Sequence, residues 1–226
     1  MLKAATAPVV ILLFYCYIRD KYEKEPFKML FWGLICGVYV AFVVYGLGMA
    51  TEKFLPHEET PLYTAFLSSA LIEESVKFLF LYNLICRNKE FNEPFDGIVY
   101  GAFVSLGFAW IENMVYVTHP LWGGLGTALA RAVISVPAHG LFGVQMGFWF
   151  GKYRFEAKKY GLLLAFLSAY LYHGFYNYFL LWQWQWAKIL FGGLFLILCI
   201  HGVWCMQYFI KRSPFRPTGK ILSQKR

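Results

Sequence analysis

The sequence predicts an all-α protein, a polytopic transmembrane helix bundle of about seven spans. Three observations carry that reading. Of the 226 residues, 59% are hydrophobic and only 15% are charged, whereas a soluble domain is nearer half apolar and a quarter charged. Apolar runs of about 20 residues recur along the chain, the length that crosses roughly 30 Å of hydrocarbon. The basic residues cluster in the short connections between those runs, as the positive-inside rule expects.

The first run, 4–18, is short. No small-residue cleavage site follows it; Arg19, Asp20 and Lys21 do, so it reads as an anchor rather than a signal peptide. The next runs are 29–50, 62–86, 97–118, 125–150, 161–182 and 188–210. Residues 1–226 therefore read as a single integral-membrane domain with no soluble domain of any size, ending in a basic tail, 211–226. Pro94 and Asp96 mark the start of the fourth run, where Asp96 can cap a helix. No internal repeat is visible, which weakens a transporter reading.

Threading seven spans puts three basic segments on one side: Arg19, Lys21, Lys24 and Lys28; Lys152, Arg154, Lys158 and Lys159; and the tail with Lys211, Arg212, Arg216, Lys220, Lys225 and Arg226. The other side receives the acidic Glu52, Glu58 and Glu59 and the uncharged loops 119–124 and 183–187. The C-terminus is thus expected in the cytoplasm and the N-terminus outside, with Trp182, Trp184 and Trp186 as an outer aromatic belt. The formal charge of +8 does not point to nucleic acid, because no basic stripe interleaved with exposed aromatics accompanies it. Cys16, Cys36, Cys86, Cys199 and Cys205 lie in or at the ends of apolar runs without a CxxC pair and read as small apolar fillers.

Several of these runs carry groups that hydrocarbon does not tolerate. Glu73, Glu74 and Lys77 interrupt the third, Glu112 and Asn113 the fourth, Arg131 and His139 the fifth, His173 and Asn177 the sixth. A charge at the bilayer centre costs roughly 2.5–3.5 kcal/mol or more, so such residues mark a site by default. Residues four apart share a helix face. Ala65, Ser69, Glu73 and Lys77 form one stripe; Gly97, Gly101, Ser105 and Ala109 lead to Glu112 and Asn113. Arg131, Ser135, His139, Gly143, Gly147 and Gly151 form a continuous stripe, and Ala165, Ala169, His173 and Asn177 another. Small residues line contacts between membrane helices, so four helices point ionisable groups at one interior. Pro137 should open the backbone just before His139.

Other roles stay open for some of them. Lys77 neutralises Glu73 at i,i+4 whatever else it does. Arg131 pairs with a carboxylate or snorkels. His201 has no polar companion on its face and reads as structural, and His57 and His119 are loop residues. Two adjacent carboxylates are harder to explain away, since one lysine does not neutralise both.

A carboxylate beside an imidazole activates water as a general base, or the set holds a divalent metal such as zinc whose bound water is acidified. Glu73, Glu74, His139 and His173 can supply the three protein ligands of a catalytic zinc and leave a position for water. Asn177 or a second histidine can donate to an oxyanion. The combination suits amide hydrolysis, without HExxH or GxSxG. An ion or proton conductor built from the same groups is the alternative.

The segments EESVK (73–77), FDGIVYGAFVSLGFAWIEN (95–113), HGLFGVQMGFWFG (139–151) and HGFYN (173–177) resemble the PrsW family of bacterial intramembrane proteases, distant relatives of the CAAX prenyl proteases and Abi proteins. The resemblance runs from about Arg19 to residue 182. It implies a multi-pass protein of the bacterial cell membrane. Its activity would be site-1 cleavage of a single-span anti-sigma factor, which starts the proteolytic release of a sigma factor. It matches Glu73 and Glu74 to the family's paired glutamates, Lys77 to the basic residue closing that motif, His139 and His173 to its two histidines, and Asn177 to its Asn position. Glu112 stands where the wider CAAX and Abi group has histidine, a departure that bears on metal binding. A CAAX-like or Abi-type peptidase with another substrate is the second alternative.

Overall fold

The computed structural model describes residues 1–54, 60–86 and 88–217. His57, Glu58 and Glu59 of the acidic loop and Lys220, Lys225 and Arg226 of the tail lie outside the described residues. Among the described residues every regular element is helical: α1 (Leu2–Arg19), α2 (Phe27–Phe54), a π-helical segment (Tyr63–Leu71) running straight into α3 (Ile72–Ile85), α4 (Pro94–Thr118), α5 (Leu125–Val133), α6 (Ser135–Phe155), α7 (Gly161–Leu181) and α8 (Ala187–Ile210). Five rods are long and apolar enough to cross a membrane: α1, α2, α4, α5 with α6, and α8. The other two, the π–α3 rod and α7, carry Glu73, Glu74, Lys77, His173 and Asn177.

Helix α4 is the centre of the bundle and is buried from Pro94 to Ala109. Glycine makes this packing. A Cβ on Gly147 of α6 would lie 1.9 Å from the carbonyl oxygen of Gly97, and one on Gly143 would lie 2.2 Å from that of Gly101. On the other side, a Cβ on Gly37 of α2 would lie 2.1 Å from the carbonyl oxygen of Val104. Backbones touch where these stripes meet, as small residues allow in membrane bundles. That contact fixes the register of α4 against α6, and so the position of Glu112 relative to His139. Cys16 and Cys205 pack in the apolar cluster around Phe95, Phe148 and Phe209.

The stripe from Arg131 to Gly151 is not one continuous helix face. The rod breaks at Ile134 (φ −116°, ψ −66°) between α5 and α6. Pro137 sits in the first turn of α6 and has no N–H to donate to the carbonyl four residues earlier, that of Val133. The break falls three residues before the proline, and it swings Arg131 across the site rather than leaving it in line with His139. At the start of α4, Asp96 does cap the helix: its Oδ2 accepts from the backbone N–H of Asn92 (2.8 Å) and of Glu93 (2.7 Å).

Candidate active site

The π–α3 rod brings the first groups. Its wide π turns end just before Glu73 and Glu74, and π turns are commonly found beside functional residues. Lys77 lies beneath, fully buried. Its Nζ donates to Glu74 Oε1 at 2.7 Å and to Glu73 Oε2 at 3.3 Å, and lies 3.4 Å from His139 Nδ1. The Phe108 ring lies under the ammonium at 4.0 Å from its centroid. Ser69, one turn before Glu73, donates to Glu73 Oε1 at 3.0 Å.

Helix α6 brings His139, held from both sides. An ammonium only donates, so Nδ1 of His139 is an acceptor and its hydrogen sits on Nε2. Nε2 donates to Glu112 Oε2 on α4 at 2.9 Å. The same oxygen accepts from Arg131 Nη2 at 2.6 Å, and Arg131 Nε donates to Asn113 Oδ1 at 2.9 Å. The Tyr116 ring lies 4.0 Å from the guanidinium carbon. Glu112 thus fixes the tautomer and ring plane of His139, while Arg131 fixes Glu112.

Helix α7 brings His173. Its Nδ1 lies 2.8 Å from Glu74 Oε1, and a carboxylate accepts, so Nδ1 carries the hydrogen. Nε2 then accepts from Asn177 Nδ2 at 3.1 Å, and that amide also donates to Ser69 Oγ at 2.8 Å. Phe142 stacks on the imidazole with centroids 4.8 Å apart.

The site opens into a cavity of about 640 Å3 lined by Glu73, Glu112, Arg131, His139, His173 and Asn177. A second cavity of about 700 Å3 lies between α2 and α4 and shares Tyr45, Glu52, Glu73, Glu112 and Tyr116 with the first. Glu73 faces both. Glu74 and Lys77 are buried behind it, at 0% and 1% exposure.

Three carboxylates, Glu73, Glu74 and Glu112, face two cations, Lys77 and Arg131, so one negative charge is left over. Glu74 Oε2 is buried without a hydrogen-bond partner. Donor atoms of Glu73, Glu74, His139 and His173 lie within 4.8 Å of one another. Mixed carboxylate and imidazole donors, a spare buried oxygen and surplus negative charge all fit a divalent ion of the zinc type. Lys77 uses the same lone pairs, so its ammonium and an ion compete for this cluster.

The structure brings Glu73, Glu74, Lys77, Glu112, His139, His173 and Asn177 into one network. Asn113 stands a step back: its Nδ2 donates to the Ala5 carbonyl on α1 at 2.8 Å, and it reaches the site only through Arg131. His201 finds its polar companion on another helix, the Tyr172 hydroxyl at 3.0 Å, away from the cavity. Sequence reasoning left Ser69 and Tyr116 out of the site. Each lies four residues from a site glutamate, Glu73 and Glu112 respectively, and that spacing is the signal that points to them.

The family model described as PrsW family intramembrane metalloprotease matches residues 25–210. Among curated proteins, Protease PrsW of Geobacillus kaustophilus is 42% identical over 203 residues, covering 87% of this chain and 86% of its own length. Protease PrsW of Bacillus subtilis is 38% identical, covering 80% and 82%, and that of Clostridioides difficile 35% identical, covering 86% and 84%. No solved structure matches the chain. With its five membrane-length apolar helices and a buried glutamate–histidine cluster on a cavity, this chain belongs to the PrsW family of intramembrane metalloproteases.

Proposed function

We propose that this protease makes the first, site-1 cut in a single-span anti-sigma factor in the bacterial membrane, with Glu73 as general base. The observation that supports Glu73 over Glu74 is exposure to the cavity: Glu73 lines it, while Glu74 is sealed behind and spends Oε1 on Lys77 and His173. Glu74, His139 and His173 would hold the metal, which when bound acidifies water and polarises a carbonyl, leaving Glu73 to take the proton.

The chain's own groups do the rest. A substrate helix hides its carbonyls in hydrogen bonds, so the segment to be cut must unwind, and non-helical backbone at membrane depth needs a polar cavity. Glu73 takes the proton as the water oxygen attacks the carbonyl carbon. Asn177 Nδ2 turns the hydrogen it gives His173 Nε2 to the developing oxyanion. Glu73 then passes the proton to the departing nitrogen as the C–N bond breaks. Lys77 holds the two glutamates in place and Glu112 holds His139.

The test is cleavage of a reconstituted candidate anti-sigma factor by purified protein, with and without chelator. Glu73→Gln should lose at least about a hundredfold in rate while still accumulating in the membrane, the usual size of an acid–base contribution. Wild-type rates in Glu73→Gln and Glu74→Gln would remove the catalytic assignment. Full activity after metal removal would leave the glutamates and histidines as the sole activators of water.

A further inference from the structure

A second acidic cluster lies at the far end of the bundle. Asp20, Glu23 and Glu25 come from the α1–α2 connection, Glu93 and Asp96 from the start of α4. Asp20 and Asp96 are fully buried, and Glu93 and Glu25 are 1% and 2% exposed. Oxygens of Glu23, Glu25 and Asp96 lie within 4.8 Å of one another.

The fold uses one oxygen of several of these groups and leaves the other. Asp96 Oδ2 caps α4, Asp20 Oδ2 accepts from the Glu25 backbone N–H at 3.0 Å, and Glu25 Oε2 accepts from the Tyr100 hydroxyl. Asp20 Oδ1, Glu23 Oε2, Glu25 Oε1, Glu93 Oε2 and Asp96 Oδ1 are all buried without a hydrogen-bond partner. Among the described residues no lysine or arginine forms an ion pair with any of them. Lys24 turns its ammonium to the backbone carbonyls of Tyr17 and Asp20 instead. The Glu25 and Asp96 carboxyl groups also touch each other. Two acceptors in contact require a proton or a cation between them, and capping explains only Asp96 Oδ2.

We propose that Glu23, Glu25 and Asp96, backed by Asp20 and Glu93, bind a hard divalent cation of the calcium or magnesium class. The donors are all oxygen, without nitrogen or sulfur, which separates this site from the zinc-type cluster at Glu73 and Glu74. Calcium takes about six to eight oxygen ligands, whereas magnesium keeps several waters and binds through one or two carboxylates. Three carboxylates gathered within 4.8 Å and backed by two more favour calcium. The ion would tie the α1–α2 connection to α4. Ser213, buried beside Glu93, would bring the segment after α8 to the same point.

The experiment is a terbium titration of the full chain in detergent after chelation. The Tyr100 hydroxyl on Glu25 places an antenna beside the ion. The expected result is sensitised emission that saturates at one ion and is displaced by calcium more readily than by magnesium. Affinity should fall at least about tenfold in Glu25→Gln and in Asp96→Asn, and stay unchanged in Glu74→Gln. Displacement by magnesium in preference to calcium would overturn the ranking of the two ions. Emission that Glu25→Gln leaves intact, or that Glu74→Gln removes, would overturn the proposal. Should both cluster variants fail to accumulate, the thermal midpoint of the Glu74→Gln protein decides. A saturable rise with calcium supports the site; a midpoint that responds to pH but not to calcium shows a shared proton only and overturns it.

Discussion

Lys77 has three hydrogens, and the structure gives each an acceptor: Glu73, Glu74 and Nδ1 of His139. That arrangement makes the tautomer of His139 depend on Lys77 at one nitrogen and on Glu112 at the other. Glu112 therefore works as an orienting carboxylate behind an imidazole, and loss of such partners costs about 10–100-fold. Glu112→Ala is expected to lower kcat/KM by that factor with normal accumulation, and also to weaken metal affinity measured by competition with a chelating dye; an unchanged rate would detach Glu112 from the site. The ionisable residues were legible in the sequence because charge inside an apolar run is conspicuous and i,i+4 spacing fixes their faces. Their pairings were not. Glu112 with His139 and Glu74 with His173 are contacts between helices, set by packing register rather than by local spacing. The same limit hid the convergence of Asp20, Glu25 and Asp96.

Register between elements rests on glycine. Gly147→Ala would drive a methyl into the carbonyl of Gly97, whereas a Cβ on Gly46 meets nothing within 4 Å. The first substitution is expected to destabilise the bundle by about 1–3 kcal/mol or more, as overpacking does, and to lower the thermal midpoint in detergent. Gly46→Ala should hold or raise it, since alanine favours a helix over glycine by about 1 kcal/mol. Equal midpoints for the two would mean that α4 and α6 do not depend on backbone contact. The small-residue stripes announced this packing in the sequence; the break at Ile134 was placed a few residues late because the effect of Pro137 falls on the carbonyl it fails to bond. At the other end, burial pushes Asp20 up to about 6 and Glu25 and Glu93 up to about 7. Asp96 and Tyr100 hydrogen bonds act against burial at Glu25 while Glu23 and Asp20 add to it; at Glu93 a Ser213 bond opposes it and Asp20 and Glu23 add to it. These folded values exceed the ordinary 3.8 and 4.5, so the folded state holds the protons longer. Their stabilising contribution is complete below about 4 and is lost as pH rises toward about 7. In chelator, the thermal midpoint of the wild type should therefore fall across that window relative to Glu25→Gln; parallel curves would count against buried, protonated carboxyl groups.

At the scale of the whole molecule, the two ends of the bundle differ in a way that sets the direction of substrate approach. The mouth of the cavity is made by the C-terminal ends of α2, α4 and α7, with Glu52, Tyr116 and Leu181 on its rim. The basic connections gather at the opposite end, where Lys152 donates to the Tyr208 hydroxyl at 3.0 Å and the acidic cluster joins α1 to α4. Short basic connections stay in the cytoplasm. On that rule we propose that the cavity opens toward the outer face, where an extracytoplasmic portion of a substrate would meet the glutamates first. Single cysteines in a cysteine-free background test this with a membrane-impermeant maleimide on intact cells. Leu121→Cys, in the 119–124 loop and 84% exposed at the native residue, should label. Lys159→Cys, exposed in the connection between α6 and α7, should label only after the membrane is opened. The reverse pattern would turn the molecule over, placing the cavity mouth in the cytoplasm. The first cut proposed for this protease would then fall on the cytoplasmic side of a substrate's span.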